Sequence, residues 1–327
     1  MPIQKVILAS PRGFCAGVER AIKVVEDCIT LFGAPVYVKH EIVHNKYVVE
    51  QLHKKGAMTV ESVEEIPDHS TAVFSAHGSP PEDFEKAKKK NIRVIDATCP
   101  LVSKVHFEVQ RFKKQGYHIV YIGHKGHVEG KGVLGEAPET ISMIEKKEDV
   151  KELSLSSEQK LIFLTQTTLS VDDTKEIIAA LKEKYPKIES PPQEDICYAT
   201  TNRQEAIKAI AKEADLILIV GSKNSSNSNR LVETARACGV ESYLIEDKTK
   251  INPVWLKDKK NIGISSGASV PDYLVQEVVS FFVEKGAKKE EVQRIKEKMV
   301  FTEPLELMKM KRLSPKELAA LRSRKDF

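Results

Sequence analysis

Three cysteines stand where a helix is expected to begin: Cys15 in RGFCAGVERAIKVV, Cys99 in DATCPLVSKVHFEV and Cys197 in EDICYATTNRQEAIKAI. A helix N-terminus offers free N–H groups and positive potential, which favours thiolate. Three thiolates converging on one centre suit an iron–sulfur cluster, and a cubane with three protein ligands leaves one iron open. Three unrelated buried thiols are the plainer alternative, because compact C-x-x-C spacing is missing. Cys28 and Cys238 differ from these. Each follows an apolar stripe at helical spacing (Val18, Ala21, Ile22, Val25; Leu231, Val232, Ala235), so both are expected to be small core residues.

The histidines offer a second kind of chemistry. His40 to His44 reads HEIVH, the zinc-protease pattern, which has meaning only when both histidines share a helical face. Here the run follows the β-branched stretch APVYVK, and helical periodicity starts only with NKYVVEQLHKK. The motif therefore falls at a strand–helix junction, which argues against a protease. His44 reads as a loop histidine and His40 as structural. IGHKGHVEG brings His124, His127 and Glu129 together on a Gly-rich loop, where a zinc pair or a glutamate proton donor are both open. SAHGSPP adds His77. GSKNSSNSNR supplies Ser225, Ser226 and Asn227; it is no Walker loop, but such donors at a helix start can hold phosphate oxygens. An ordinary polar turn is the alternative.

These residues need elements to position them. The 327-residue chain is long for a single core, and its 41% apolar and 30% charged composition is that of a globular protein of two or three domains. No apolar run approaches the ~20 residues of a membrane span. No signal-peptide pattern opens the sequence, so a cytoplasmic protein with free or metal-bound thiols is expected. Residues 284–327 hold 13 Lys/Arg against 8 Asp/Glu and the rest 38 against 39, so the body is neutral and the tail basic. That argues against a nucleic-acid-binding face on the body.

Strand-like and helix-like runs alternate throughout, as in an α/β protein. KVILAS, HIVYI and DLILIV each enter a polar loop; TAVF, KLIFLT and NIGISS each enter a Ser/Thr/Gly loop and then a helix. Two kinds of unit appearing three times each suggest three similar α/β domains, residues 1–98, 99–194 and 195–283, before a C-terminal segment 284–327. Ligands of such sheets gather beyond the carboxyl ends of the strands, so the six loops would line one cavity if the domains face a common centre. Near the end, Ser314, Pro315 and Glu317 form a capping box for a short basic helix carrying Leu318, Leu321, Arg322, Arg324 and Lys325.

Together, PRGFCAGVERAI, HEIVHNKYVV, FSAHG, DATCPLV, GHKGHVEG, TQTTLSVDDT, DICYATTNRQEA, VGSKNSSNSNRL and GASVPDYLVQ resemble the 4-hydroxy-3-methylbut-2-enyl diphosphate reductase family of isoprenoid biosynthesis. The likeness runs from Ile3 to Leu307; Met308–Phe327 looks like an added extension. The resemblance implies three pseudo-equivalent α/β domains around a central cavity, with a [4Fe-4S] cluster on Cys15, Cys99 and Cys197. It implies a two-electron, two-proton removal of an allylic hydroxyl, giving isopentenyl and dimethylallyl diphosphate. It further assigns the substrate diphosphate to His44, His77, His127, Ser225, Ser226, Asn227 and Ser269, the substrate alcohol to Thr167 and proton donation to Glu129, with His127 beside it. GKGVLG after Glu129 is a slightly altered continuation of the family loop. Electrons would come from an acidic carrier of the flavodoxin or ferredoxin kind, with the basic tail as a docking aid or a mere appendage. The competing readings are a zinc hydrolase using His124, His127 and Glu129, and a non-enzymatic iron–sulfur sensor.

Overall fold

Unbroken apolar runs mark parallel strands buried on both faces, and LILIV (Leu216–Val220) and LIFLT (Leu161–Thr165) are buried along their whole length. The computed structural model describes residues 3–156, 158–314 and 317. Its strands are β1 (Lys5–Ser10), β2 (Val36–Lys39), β3 (Ala57–Val60), β4 (Thr71–Phe74), β5 (Arg93–Asp96), β6 (His118–Ile122), β7 (Ile141–Ile144), β8 (Leu161–Thr165), β9 (Leu216–Val220), β10 (Glu241–Ile245), β11 (Asn261–Ser266) and β12 (Lys288–Gln293). All six runs expected to be strands are strands: β1, β4, β6, β8, β9 and β11. Among the described residues they form three parallel sheets, ordered β10-β9-β11-β1-β12, β3-β2-β4-β5 and β7-β6-β8. No helix among the described residues is long and apolar enough to cross a membrane.

The chain divides into two compact units. Residues 1–15, 167–174 and 196–299 make one; residues 16–166, 175–195 and 300–327 make the other. The first holds the five-stranded sheet. β1 lies in its interior, with Lys5 opposite both Asn261 of β11 and Lys288 of β12. Helices Tyr198–Ile210 and Ser226–Ala237 cover one face through Ala206, Ile207, Ile210, Leu231, Val232 and Ala235, which pack on Ile7, Ile217 and Ile219. The second unit holds the other two sheets, with cores around Phe74, Ile66 and Val63 and around Tyr121, Val105 and Leu164.

This division differs from the boundaries expected at residues 98, 194 and 283. β1 belongs with the strands from 216 onward, and residues 288–293 complete that sheet. The sequence hides β12 because KKEEVQ has no apolar face; it is an exposed edge strand guarded by charge. Cys28 is fully buried, as expected, and burial pushes its thiol up to about 12. Cys238 is not a core residue. The helix ends at Ala237, and Cys238 caps it, exposed, ahead of the left-handed turn at Gly239. The Ser314/Glu317 capping box is present: the Ser314 N–H donates to the Glu317 carboxylate at 2.8 Å, and the Glu317 N–H donates to the Ser314 hydroxyl at 3.3 Å. Pro315, Leu318, Leu321, Arg322, Arg324 and Lys325 lie outside the described residues.

Close packing at the carboxyl end of β9 depends on a missing side chain. A Cβ on Gly221 would stand 2.7 Å from the Ser228 Cβ and 3.2 Å from Leu244, so only glycine lets the helix start this near the strand. Gly221→Ala is expected to destabilise by about 1–3 kcal/mol, as overpacking does. Adding Ser228→Gly should recover part of that loss in denaturant titration. Additive losses would contradict the packing argument.

Candidate active site

The loops that carry Cys15, His44, His77, Cys99, His127, Thr167, Ser225 and Ser269 each leave the carboxyl end of a parallel strand, whereas that of Cys197 follows the helix Val171–Lys184. In the second unit, β2, β4 and β6 deliver His44, His77 and His127. The HEIVH run is not helical. His40 has a left-handed φ of 59° and faces Glu61 at 2.9 Å, and the following helix, Lys46–Lys55, starts only after the cap Asn45. His44 reaches Glu41 through Nδ1 at 3.3 Å. Its ring stacks on His77 with centroids 4.1 Å apart and meets His127 edge-on at 5.6 Å. Three imidazoles from three separate loops thus form one cluster.

Glycine lets the loops approach. The helix Val128–Glu136 carries Gly132 against the Gly78 backbone, where a Cβ would stand 3.3 Å from the Gly78 carbonyl. GKGVLG therefore continues as a helix laid on the His77 turn. His127 caps that helix: its Nδ1 accepts from the Glu129 N–H at 3.2 Å. A neutral imidazole that accepts at Nδ1 must carry its proton on Nε2. That Nε2 is buried and has no hydrogen-bond partner among the described residues. Glu129, at the second helical position, is 2% exposed.

Burial, and then the neighbouring His44 and His124, lower His127 to about 4. Burial, followed by His44, His127 and His40, holds His77 well below the usual histidine range. Both rings are uncharged at neutral pH. The zinc alternative finds little support in this geometry: the His127 Nδ1 accepts from its own helix, so its Nε2 carries the proton and has no lone pair for a metal. Among the described residues no group of three His, Cys, Asp or Glu side chains is arranged to hold a metal ion. Cys99, half-buried, caps the helix Pro100–Lys114 with Pro100 in the first turn, and its N–H bonds the Ala76 carbonyl at 3.0 Å beside the His77 loop.

The first unit presents Cys15, Cys197, Thr167, Ser225, Ser226, Asn227 and Ser269. Cys15 directly precedes the helix Ala16–Phe32 and donates its N–H to the Ala268 carbonyl at 3.2 Å, next to Ser269. Cys197 caps its helix, donates its N–H to the Thr167 carbonyl at 2.9 Å and has its Sγ 3.2 Å from the Thr200 hydroxyl. Thr167 and Ser269 are both buried. Ser225 caps the helix Ser226–Ala237 by accepting from the Ser228 N–H, and the Ser226 hydroxyl donates to the Thr168 carbonyl at 3.2 Å. Asn227 is buried, and neither its amide nitrogen nor its oxygen has a partner among the described residues. An unpaired buried amide costs about 1–3 kcal/mol, so a ligand that pairs it gains that much.

Half-buried thiols at three helix starts fit the ligand set of an iron–sulfur cluster in kind. Sequence reasoning missed the supporting residues. Gln166, fully buried, holds the His124 N–H at 2.9 Å; His106 and Gln110 meet Glu136 at 2.7 Å beneath the glycine-rich helix. His106 and Gln110 lie one helical turn apart, the only sign of them in the sequence.

Uncharged, buried histidines would make the binding of any anion beside them proton-linked. An anion beside His127 raises its affinity for protons, so inorganic diphosphate should bind with net proton uptake near pH 6. Calorimetry in two buffers of different ionisation enthalpy measures it, and His127→Gln should lower the uptake. Without ligand the sign reverses its consequence. The folded-state pKa of about 4 lies below the unfolded value, so the unfolded chain holds more protons between them. Stability is therefore full above about pH 6.5 and lost as pH falls towards 4, and that slope should flatten in His127→Gln. An unchanged slope and no proton uptake would contradict the neutral state of His127.

The model of the family described as LytB protein matches residues 6–283. A 4-hydroxy-3-methylbut-2-enyl diphosphate reductase of Haemophilus influenzae (strain PittGG) is 52% identical over 307 residues, 93% of this chain and 98% of that protein. One of Aromatoleum aromaticum is 49% identical over 94% of this chain and 99% of its own. Among solved structures, the E-1-hydroxy-2-methyl-but-2-enyl-4-diphosphate reductase of Plasmodium falciparum superposes with a TM-score of 0.91 at 40% identity, covering 95% of this chain and 99% of that one. A second reductase, titled the terminal enzyme of the non-mevalonate pathway, gives 0.62 at 34% identity over 86% of this chain and all of its own. With its loops, helix-start cysteines and histidine cluster all falling inside the matched span, the chain belongs to the LytB family.

Proposed function

We propose that the chain reductively dehydroxylates 4-hydroxy-3-methylbut-2-enyl diphosphate. Two electrons and two protons enter, the allylic C–O bond breaks, and water leaves beside isopentenyl or dimethylallyl diphosphate. The observation that carries this reading is the near-half identity to reductases of that name over almost their whole length. The buried donors of His127 and Asn227, which have no partner among the described residues, support it, since they suit phosphate oxygens.

Cys15, Cys99 and Cys197 would hold a [4Fe-4S] cluster, which when bound supplies the electrons and, at its open iron, a Lewis acid for the substrate hydroxyl. The remaining work falls to side chains. His44, His77, His127, Ser225, Ser226, Asn227 and Ser269 bind the diphosphate through imidazole, hydroxyl and amide groups, which avoid the mutual repulsion of a buried lysine shell. Thr167 orients the substrate alcohol. Glu129 gives a proton to the departing oxygen, and the Nδ1 of His127 keeps the start of its helix in place. A flavodoxin- or ferredoxin-type carrier delivers the electrons. The reading carries a cytoplasmic setting with it, where thiols stay reduced.

Anaerobic turnover of the allylic diphosphate with a chemical reductant tests the proposal. Glu129→Gln should keep its iron and bind inorganic diphosphate while turnover falls at least ~100-fold, because an amide gives no proton. Near-normal turnover would remove Glu129 from the reaction. Cys15→Ser, Cys99→Ser and Cys197→Ser should each lose iron, whereas Cys28→Ser and Cys238→Ser should retain it. Equal loss in all five would overturn the ligand assignment.

A further inference from the structure

Two arginines, Arg203 fully buried and Arg20 half-buried, tie down the backbone on which the proposed ligand cysteines sit. Arg203 is 0% exposed in the helix that Cys197 caps. Its guanidinium donates to the Gly13 carbonyl at 2.8 Å, to the Ala199 carbonyl at 3.0 Å and to the Glu297 carboxylate at 3.0 Å. One planar group thus joins the turn before Cys15 to the first turn after Cys197. Asn202 donates to the same carboxylate at 3.0 Å. In the other unit, Arg20 donates to the Ala97 and Thr98 carbonyls at 3.2 and 3.0 Å, just before Cys99, and to the Thr302 carbonyl at 2.7 Å. Burial lowers its pKa, with the nearby Asp96 opposing.

We infer that Arg203 and Arg20 are positioning residues for the cysteine loops, and that the C-terminal segment 294–304 braces both of them. The chemistry favours arginine at each place. A guanidinium presents several donors in one rigid plane and can satisfy two carbonyls and a third acceptor together; a lysine cannot reproduce that fork. A buried guanidinium also demands a compensating charge, which makes Glu297 part of the latch. Segment 294–304 has no regular secondary structure, yet it supplies Glu297 to one latch and the Thr302 carbonyl to the other. Partners behind metal ligands fix ligand orientation and raise metal retention.

The inference rests on the three-cysteine reading, so its test separates the two. Arg203→Lys and Arg20→Lys are compared with wild type and with Ile207→Val, a fully buried change in the same helix as Arg203 that lowers stability without touching either latch. In the apoproteins, amide hydrogen exchange of residues 13–15 should quicken in Arg203→Lys, and that of residues 97–99 in Arg20→Lys, but neither in Ile207→Val. After anaerobic reconstitution, iron loss to a chelator should run about 10-fold or more faster in the arginine variants, as for outer partners of other metal sites. The electron paramagnetic resonance of the reduced state should shift with it. Wild-type exchange at those amides, or iron loss no faster than in Ile207→Val, would overturn the inference. If Arg203→Lys fails to fold, Glu297→Gln decides in its place: faster exchange at 13–15 supports the latch and wild-type exchange contradicts it. A wild-type chain that takes up no iron would instead sink the cluster reading, while the exchange comparison still judges the latches.

Discussion

Parallel pairing of β1 with β11 and β12 is the constraint on which the first unit depends. With Lys5 opposite Asn261 and Lys288, residues from the two ends of the chain become adjacent strands. The loop leaving β1 then lies beside the loop leaving β11, which is why the Cys15 N–H meets the Ala268 carbonyl and the Gly13 N–H meets the Ser266 hydroxyl at 2.9 Å. It also puts Gly13 within reach of Arg203, and so ties the Cys15 turn to the Cys197 helix. Pairing so distant in sequence closes a very long loop before any contact repays it, so this sheet should be a late event in folding.

The second unit meets a different demand. Its histidines come from three loops and crowd together with ring centroids 4.1 to 6.2 Å apart, which would be costly if all were charged. Burial keeps His77 and His127 neutral, and the helix start at His127 fixes which of its ring nitrogens carries the proton. The cost is a buried donor, the His127 Nε2, without a partner among the described residues. Such a donor is tolerable when a ligand supplies the acceptor, and a diphosphate supplies many.

Much of this was legible in the sequence because local rules decide it. The six apolar runs became strands, and Cys99 and Cys197 became helix caps; Cys28 sits in the core and HEIVH at a junction. What stayed hidden depends on non-local pairing. Nothing in KVILAS says that its neighbours are NIGISS and KKEEVQ, and a charged edge strand carries no apolar signature. Cys238 continues an apolar stripe, but the helix ends one residue too soon to bury it. Nothing local marks Arg20 and Arg203, whose partners, the Ala97 and Gly13 carbonyls, are distant in sequence. The histidine cluster itself could be listed residue by residue but not seen as a cluster, since three loops had to meet.

The central claim is that three cysteines of this chain hold a cubane with one iron left for substrate. Mössbauer spectroscopy of anaerobically prepared, ⁵⁷Fe-enriched protein, with iron and sulfide counted on the same sample, tests it most directly. The account predicts four irons and four sulfides per chain, with one iron spectroscopically distinct from the other three and altered when the allylic diphosphate is added. Four equivalent irons, or a chain that is active with zinc and without iron, would contradict it.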